Sequence, residues 1–253
     1  MSEKLDLDLW HQRYTQQAKW SQEIRQYLLG KISLGEGNKI LEVGSGTGAV
    51  LSLLSEETRA QCFGVDIDIA SLAFSAKLGY PLAFAAGDAY SLPFPDDSFN
   101  LTYCHYLLLW IKNPLAVIAE MVRVTRPGGL VIALAEPDYQ ARIDHPKKLA
   151  QLGKIQTQSL HEQGADTAMG RKLLGLFHDA GLQNITSGIL GAQWESTDTG
   201  EIDENEWLMI QADTAGRLSP EALAAYRRAE SEARREEKRV LFIPTFYAAG
   251  IVS

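Results

Sequence analysis

Apolar residues recur along this chain in two different periods. From residue 5 to 30, Leu9, Trp10, Tyr14, Trp20, Ile24, Tyr27 and Leu28 follow a helical spacing. Gly30, Gly35 and Gly37 then interrupt the pattern. Beyond them, short apolar runs alternate with helical stretches. The runs are KILEVG (39–44), QCFGVD (61–66), PLAFAAGD (81–88), FNLTYCHY (99–106) and GGLVIALAEP (128–137), and helices are expected between them at about 48–57, 69–79 and 114–125. Strands apolar on both faces, alternating with helices, predict an α/β fold with a parallel sheet covered on both sides.

The second half is more helical. Helices are expected at 147–163 and 170–181, with Gly181 as a C-terminal cap, and strands at 183–194 and within 240–252. Ser219-Pro220-Glu221 opens a further helix, with a capping hydroxyl, a proline in the first turn and an acid near the positive helix end. No repeat, low-complexity tract or linker divides the chain, so a single domain with insertions is expected over 1–253.

Composition narrows the class. At 253 residues, 45% hydrophobic and 22% charged, the chain can bury an ample core without disulfides or structural metal. Cys62 and Cys104 both sit in apolar runs and read as buried thiols of a reducing compartment. No stretch approaches the roughly 20 apolar residues of a membrane span, and MSEKLDLDLWHQRY is too charged for a signal peptide, so a cytoplasmic protein is expected. With 24 Lys plus Arg against 32 Asp plus Glu, the formal charge is −8, which opposes a phosphate backbone and argues against nucleic acid. RRAESEARREEKR (227–239) mixes both signs and reads as a solvated helix face. His11, His145, His161 and His178 are scattered and the cysteines lack partners at ligand spacing, so no metal site is expected.

The chemistry concentrates in ILEVGSGTG (40–48). Gly44, Gly46 and Gly48 follow a strand directly and precede a helix; glycines there permit a positive-φ turn and open the backbone to a ligand. In open parallel sheets, ligands bind beyond the carboxyl ends of the strands. The next strand ends in Asp66, twenty-two residues after Gly44, where a carboxylate can accept both hydroxyl protons of a ribose. The third ends in Gly87-Asp88-Ala89, whose carboxylate can take the exocyclic amine of adenine while the following N–H donates to a ring nitrogen. Each acid alone also reads as a helix cap or solvated turn.

ILEVGSGTG, GVDIDIASL, AAGDAYSLPFPDDSFN and VTRPGGLVIALAEPD, in that order over about 38–138, resemble the class I S-adenosylmethionine-dependent methyltransferases, in the branch of ubiquinone-biosynthesis-type and other small-molecule enzymes. The resemblance implies a Rossmann-like, doubly wound, mostly parallel seven-stranded sheet with helices on both faces, an N-terminal helical cap and lid insertions. The implied parts are a cap at 1–35, a cofactor half at 36–138, a substrate-side half at 139–194, a helical insertion at 195–237 and a final strand at 238–253. One departure is Asn100, where the family has aspartate; that position reads as structural.

The resemblance also implies roles. Gly44, Ser45, Gly46, Thr47 and Gly48 would cradle the methionine end of S-adenosylmethionine, with Glu42 near its ammonium. Asp66 would hold the ribose, Ile67 would pack on adenine, and Asp88 with Ala89 would read its edge. Cys104 and His105 would lie beside the sulfonium, and Tyr14 and Trp20 either cover the cofactor or pack as core. The product would be S-adenosylhomocysteine, with no metal required. An NAD(P)-dependent oxidoreductase competes, because Gly44-x-Gly46-x-x-Ala49 fits the dinucleotide fingerprint. Against it, Glu42 would repel a pyrophosphate, whereas it would welcome an ammonium. A non-catalytic cofactor- or partner-binding protein on the same fold is the third reading.

Methyl transfer from a sulfonium is an in-line displacement that draws mainly on alignment. Where the acceptor needs a base, His105 is the candidate, with pocket wall as its other reading; Tyr139 follows the fifth strand on the same rim. Tyr106, Glu136, Asp138 and Trp194 are candidate substrate contacts, with structural or capping roles as the alternative. Trp194, Trp207, Leu208, Met209 and Tyr226 either roof a pocket for a hydrophobic or aromatic small-molecule acceptor or form the insertion's own core or a dimer contact. No membrane insertion is expected, and the protein is a monomer or a homodimer.

Overall fold

The computed structural model describes residues 7–191 and 204–253, apart from the side chains of Trp20, Asn205 and Glu206. In chain order the elements are α1 (Leu7–Trp20), α2 (Gln22–Leu29), β1 (Lys39–Val43), α3 (Ala49–Glu57), β2 (Gln61–Asp66), α4 (Ile69–Lys77), β3 (Leu82–Ala86) and β4 (Phe99–His105). They continue through α5 (Pro114–Val124), β5 (Thr125–Pro137), β6 (Ile143–His145), α6 (Lys147–Glu162), α7 (Leu173–Asp179) and β7 (Gln183–Leu190). The last are α8 (Glu204–Asp213), α9 (Pro220–Arg235), β8 (Val240–Phe242) and β9 (Thr245–Ile251).

Two compact units result: residues 1–136, 170–190 and 246–253 form the first, and 137–169 with 191–245 the second. The first carries a seven-stranded sheet in the order β3-β2-β1-β4-β5-β9-β7, in which β3, β2, β1, β4 and β5 run parallel. The strand order reverses beside β1, the switch point at which such sheets bind ligands. Central β1 and β4 are buried along almost their whole length, which is why they read as unbroken apolar runs. Ile40, Leu101, Ile132 and Leu134 build the core with Leu51 and Leu54 of α3. Asn100 is structural: its Oδ1 accepts from the Lys39 N–H at 2.9 Å, tying β4 to the start of β1.

The single helix expected over 5–30 is two. Ser21 is completely buried and its hydroxyl donates to the Ala18 carbonyl, competing with the helical ladder and separating α1 from α2. The run 240–252 likewise divides, because Pro244 has no N–H for the ladder; β8 precedes it and β9 follows. Gly181, φ +79, follows α7 and donates to the His178 carbonyl, in keeping with its expected capping role.

The second unit pairs β6 and β8 antiparallel and packs α6, α8 and α9 together. Ser219 caps α9 by accepting from the Ala222 N–H. Trp207, 2% exposed, packs with Leu152 and Ile210 and is flanked by Leu218, Leu223 and Tyr226, so these aromatics form the unit's own core. Segment 227–239 is exposed along most of its length, as expected of a solvated face, while Glu230 and the Arg239 side chain are buried and pair with each other. Among the described residues no helix is long and apolar enough to cross a membrane.

Candidate functional site

The carboxyl ends of four adjacent strands converge in the first unit. Val43 of β1 pairs with Val65 of β2 on one side and Cys104 of β4 on the other, and Asp66 pairs with Ala86 of β3. The glycine loop is fastened to β2, since the N–H groups of Gly44 and Ser45 both donate to the Val65 carbonyl, at 2.8 and 3.0 Å. Gly44 and Gly46 have φ of +76° and +49°. They are glycines for different reasons. A Cβ on Gly44 would come within 2.8 Å of Leu107 Cδ1, so close packing excludes it; a Cβ on Gly46 would meet nothing within 4 Å. Gly46 therefore turns its bare backbone to open space.

Around that opening stand the predicted acids. Asp66 accepts from the Gly46 N–H at 2.7 Å and the Asp68 N–H at 2.8 Å, which aims its carboxylate at the loop. Ile67 follows, 75% exposed and unaccompanied by apolar cover. Asp88 is exposed and shaped by an Asx turn onto the Tyr90 N–H, with Ala89 between. Behind the loop, Glu42 is 2% exposed and its Oε2 has no hydrogen-bond partner. Burial pushes its carboxyl up to about 8; the Tyr103 hydroxyl opposes this and the Asp66 charge adds to it.

Helix α1 reaches the same rim. Burial raises the Tyr14 hydroxyl above its ordinary range, with Asp66 and Asp68 adding to the effect. His11, one turn earlier on that face, holds its Nδ1 3.0 Å from the Thr47 hydroxyl, and its ring lies 5.6 Å from Phe74. Sequence reasoning left His11 among the scattered histidines. The i, i+3 spacing to Tyr14 was the signal available.

At the end of β4, His105 lies with Nε2 3.5 Å from the Ser21 hydroxyl. Burial pushes it down to about 3, Arg25 contributing, so the imidazole is neutral and a weak proton acceptor. Tyr106 stacks obliquely beside it, ring centroids 5.2 Å apart. Cys104 has no exposed surface and its thiol is held protonated by burial, so it belongs to the sheet interior. Both cysteines are free thiols.

Glu136 departs from its expected substrate contact. It is fully buried, with Oε1 accepting from the N–H groups of Leu107 and Leu108 at 2.9 Å and Oε2 from Leu109 at 3.1 Å, so backbone already occupies the carboxylate. Asp138 and Tyr139 belong to the second unit, where both are buried. Asp138 accepts from the Ala141 N–H, and the Tyr139 N–H donates to Thr167, so the capping alternative for Asp138 holds. Trp194 and the Trp20 side chain lie outside the described residues. No group of three or more His, Cys, Asp and Glu suited to a metal occurs among the described residues.

The fold is that of the S-adenosylmethionine-dependent methyltransferases. The chain superimposes on a geranyl diphosphate methyltransferase solved with S-adenosylmethionine at a TM-score of 0.58, covering 94% of this chain and 85% of that one at 17% identity. Residues 41–133 match the model of the methyltransferase domain family. A malonyl-[acyl-carrier protein] O-methyltransferase of Marinomonas sp. is 30% identical over 125 residues, 48% of this chain and 46% of that protein. A demethylmenaquinone methyltransferase of Mycobacterium tuberculosis is 37% identical over 101 residues, 40% of this chain and 42% of that protein. The matches thus span less than half the length of either relative.

Proposed function

We propose that this protein transfers the methyl group of S-adenosylmethionine to a small-molecule acceptor, releasing S-adenosylhomocysteine. One observation carries the reading: a buried carboxylate oxygen of Glu42 without a partner, behind a glycine loop whose middle residue faces open space. A buried carboxylate that lacks a partner is costly unless a cation answers it. The ammonium of a bound methionine moiety supplies one, and a pyrophosphate does not, which disfavours the NAD(P) alternative.

When bound, the cofactor supplies an electrophilic methyl on a sulfonium. The chain supplies alignment. Gly44, Ser45, Gly46, Thr47 and Gly48 cradle the amino-acid end; Asp66 holds the ribose, and exposed Ile67 covers adenine against Asp88 and Ala89. Tyr14 shields the loop from α1. His105, neutral at physiological pH, takes a proton only from an acceptor far more acidic than an aliphatic alcohol. The reaction therefore leans on orientation, worth about 7–11 kcal/mol in well-aligned systems, more than on a base. No metal enters this scheme.

Tyr106 offers an aromatic wall at the transfer end, in favour of a hydrophobic or aromatic acceptor. The activities of the two relatives support a small or carrier-borne acceptor, and the charge of −8 supports one that is not nucleic acid. A cytoplasmic monomer or homodimer completes the reading. The test is calorimetric titration of S-adenosylmethionine, S-adenosylhomocysteine and NADH into the wild type and Asp66→Ala. Binding of both adenosyl compounds, weakened at least about tenfold in the variant, supports it. Binding of NADH alone overturns it.

A further inference from the structure

The turn after β4 is fastened by a carboxylate that the chemistry above does not use. Three consecutive N–H groups, of Leu107, Leu108 and Leu109, converge on the two oxygens of fully buried Glu136. The same place carries backbone strain. Tyr106 and Ala135, non-glycine residues at φ +54° and +62°, stand at the adjoining ends of β4 and β5, just past the His105–Leu134 pair, and the Tyr106 N–H donates to Leu134. Left-handed conformations at such residues persist only where the surroundings impose them. Leu107 also presses its side chain on the glycine loop, where its Cδ1 fills the space beside Gly44.

We propose that Glu136 is a positioning residue of the transfer site: its carboxylate holds the Leu107–Leu109 turn, and through the Leu107 side chain that turn holds the cofactor loop at Gly44. This rests on the reading of the loop as the S-adenosylmethionine site. A carboxylate suits the task because each of three donors needs an acceptor. Glutamine offers one oxygen, and its amide would meet the remaining N–H donor to donor. Burial outweighs the three N–H donors and raises the Glu136 carboxyl to about 7. Its charge is felt at Cys104, which burial keeps a thiol. Protonation places an O–H donor against an N–H, so the turn loosens as pH falls through that value.

Trp110, half exposed at the end of this turn, is the reporter. Its fluorescence, taken as wild type minus Trp110→Phe, is followed from pH 5 to 9 without cofactor. A transition centred near 7 is expected, absent from the same difference measured in Glu136→Gln. At pH 8.5, S-adenosylhomocysteine binds about tenfold more weakly to Glu136→Gln and to Leu107→Ala, the latter keeping the Trp110 transition. A flat Trp110 signal in the wild type overturns the proposal, as does Glu136→Gln with wild-type affinity. If Glu136→Gln does not fold, the wild-type titration and Leu107→Ala decide it. Failure of the wild type to bind S-adenosylhomocysteine removes the methyltransferase reading, while the Trp110 titration still judges the fastening of the turn.

Discussion

The two units bury their carboxylates in opposite ways. In the second, Asp144 receives Arg142 Nε at 2.6 Å and Arg239 Nη2 at 3.3 Å, and Glu230 receives Arg239 Nε at 2.7 Å and Arg234 Nε at 2.9 Å. Arg142 goes on to Gln156, whose amide donates to Asp213 at 2.7 Å. In the first unit, Glu42 and Glu136 are buried without a guanidinium at hydrogen-bonding distance among the described residues. Arg25, whose charge reaches Glu42, is committed to Glu57 at 2.8 and 3.2 Å. Closed networks serve architecture, whereas a carboxylate with an unanswered oxygen marks the place where a cation or a proton belongs. Glu136 is intermediate, answered by backbone dipoles alone.

The largest effect is expected from opening the closed network. Asp144→Ala leaves Arg142 and Arg239 buried without their shared counter-charge and destabilises the second unit by about 3–5 kcal/mol. Urea denaturation followed through the core residue Trp207 measures it. A loss below about 1 kcal/mol, the level of an exposed ion pair, would mean that solvent already answers these charges and that the contrast between the units is weaker than the geometry says.

Next comes the pH dependence of the ligand-free protein. Glu42 and Glu136 have folded-state values of about 8 and about 7, above the 4.5 of an unfolded glutamate. Between those limits the folded chain binds more protons than the unfolded one, so the stabilisation present below 4.5 is lost as pH rises through 7 to 8. Thermal unfolding midpoints should fall from pH 6 to 9, and less steeply in Glu42→Gln. A midpoint that climbs over that range breaks the comparison, because the two carboxylates would then be answered after all.

Ligand binding sharpens the same contrast with a smaller energy. Glu42→Gln should weaken S-adenosylmethionine by about 1.5–3 kcal/mol, the worth of a hydrogen bond to a charged group, without lowering the stability of the free protein. Because the Glu42 carboxyl is largely protonated at pH 7, meeting an ammonium should expel about one proton. Calorimetry in two buffers of different ionisation enthalpy counts that proton. No buffer dependence would place the cation elsewhere.

The contrast also explains what was legible. Strands β1, β2, β4 and β5 announce themselves because burial on both faces demands continuous apolar runs, and Glu42, Asp66 and Asp88 stand out as acids at strand ends. The five parallel strands, the glycine loop and its acids were therefore readable from periodicity and spacing. The closed network was not. β6 and β8 have three residues each, too short to show a period, and nothing local tells that Arg239 of the mixed-charge stretch meets Asp144, ninety-five residues earlier. Glu136 was readable as an acid at a strand end, yet its partners are backbone groups twenty-seven to twenty-nine residues away, which no side-chain pattern encodes.

The smallest expected effect separates local from non-local sources of stability inside the second unit. α9 is stabilised at its start by Ser219, whose hydroxyl accepts from the Ala222 N–H at 3.2 Å, with Pro220 and Glu221 in the first turn. Further along the same helix, Glu230 carries the ion pairs to Arg234 and Arg239. Removing the cap in Ser219→Ala costs about 1 kcal/mol through the first turn alone. Combined with Asp144→Ala, the two losses should add to within about 0.5 kcal/mol, because the sites share no partner. Denaturation of the double variant checks this. A sum that fails by more than that would show the helix start to be coupled to the buried charges, making the network a folding unit with α9 instead of a tie between finished elements.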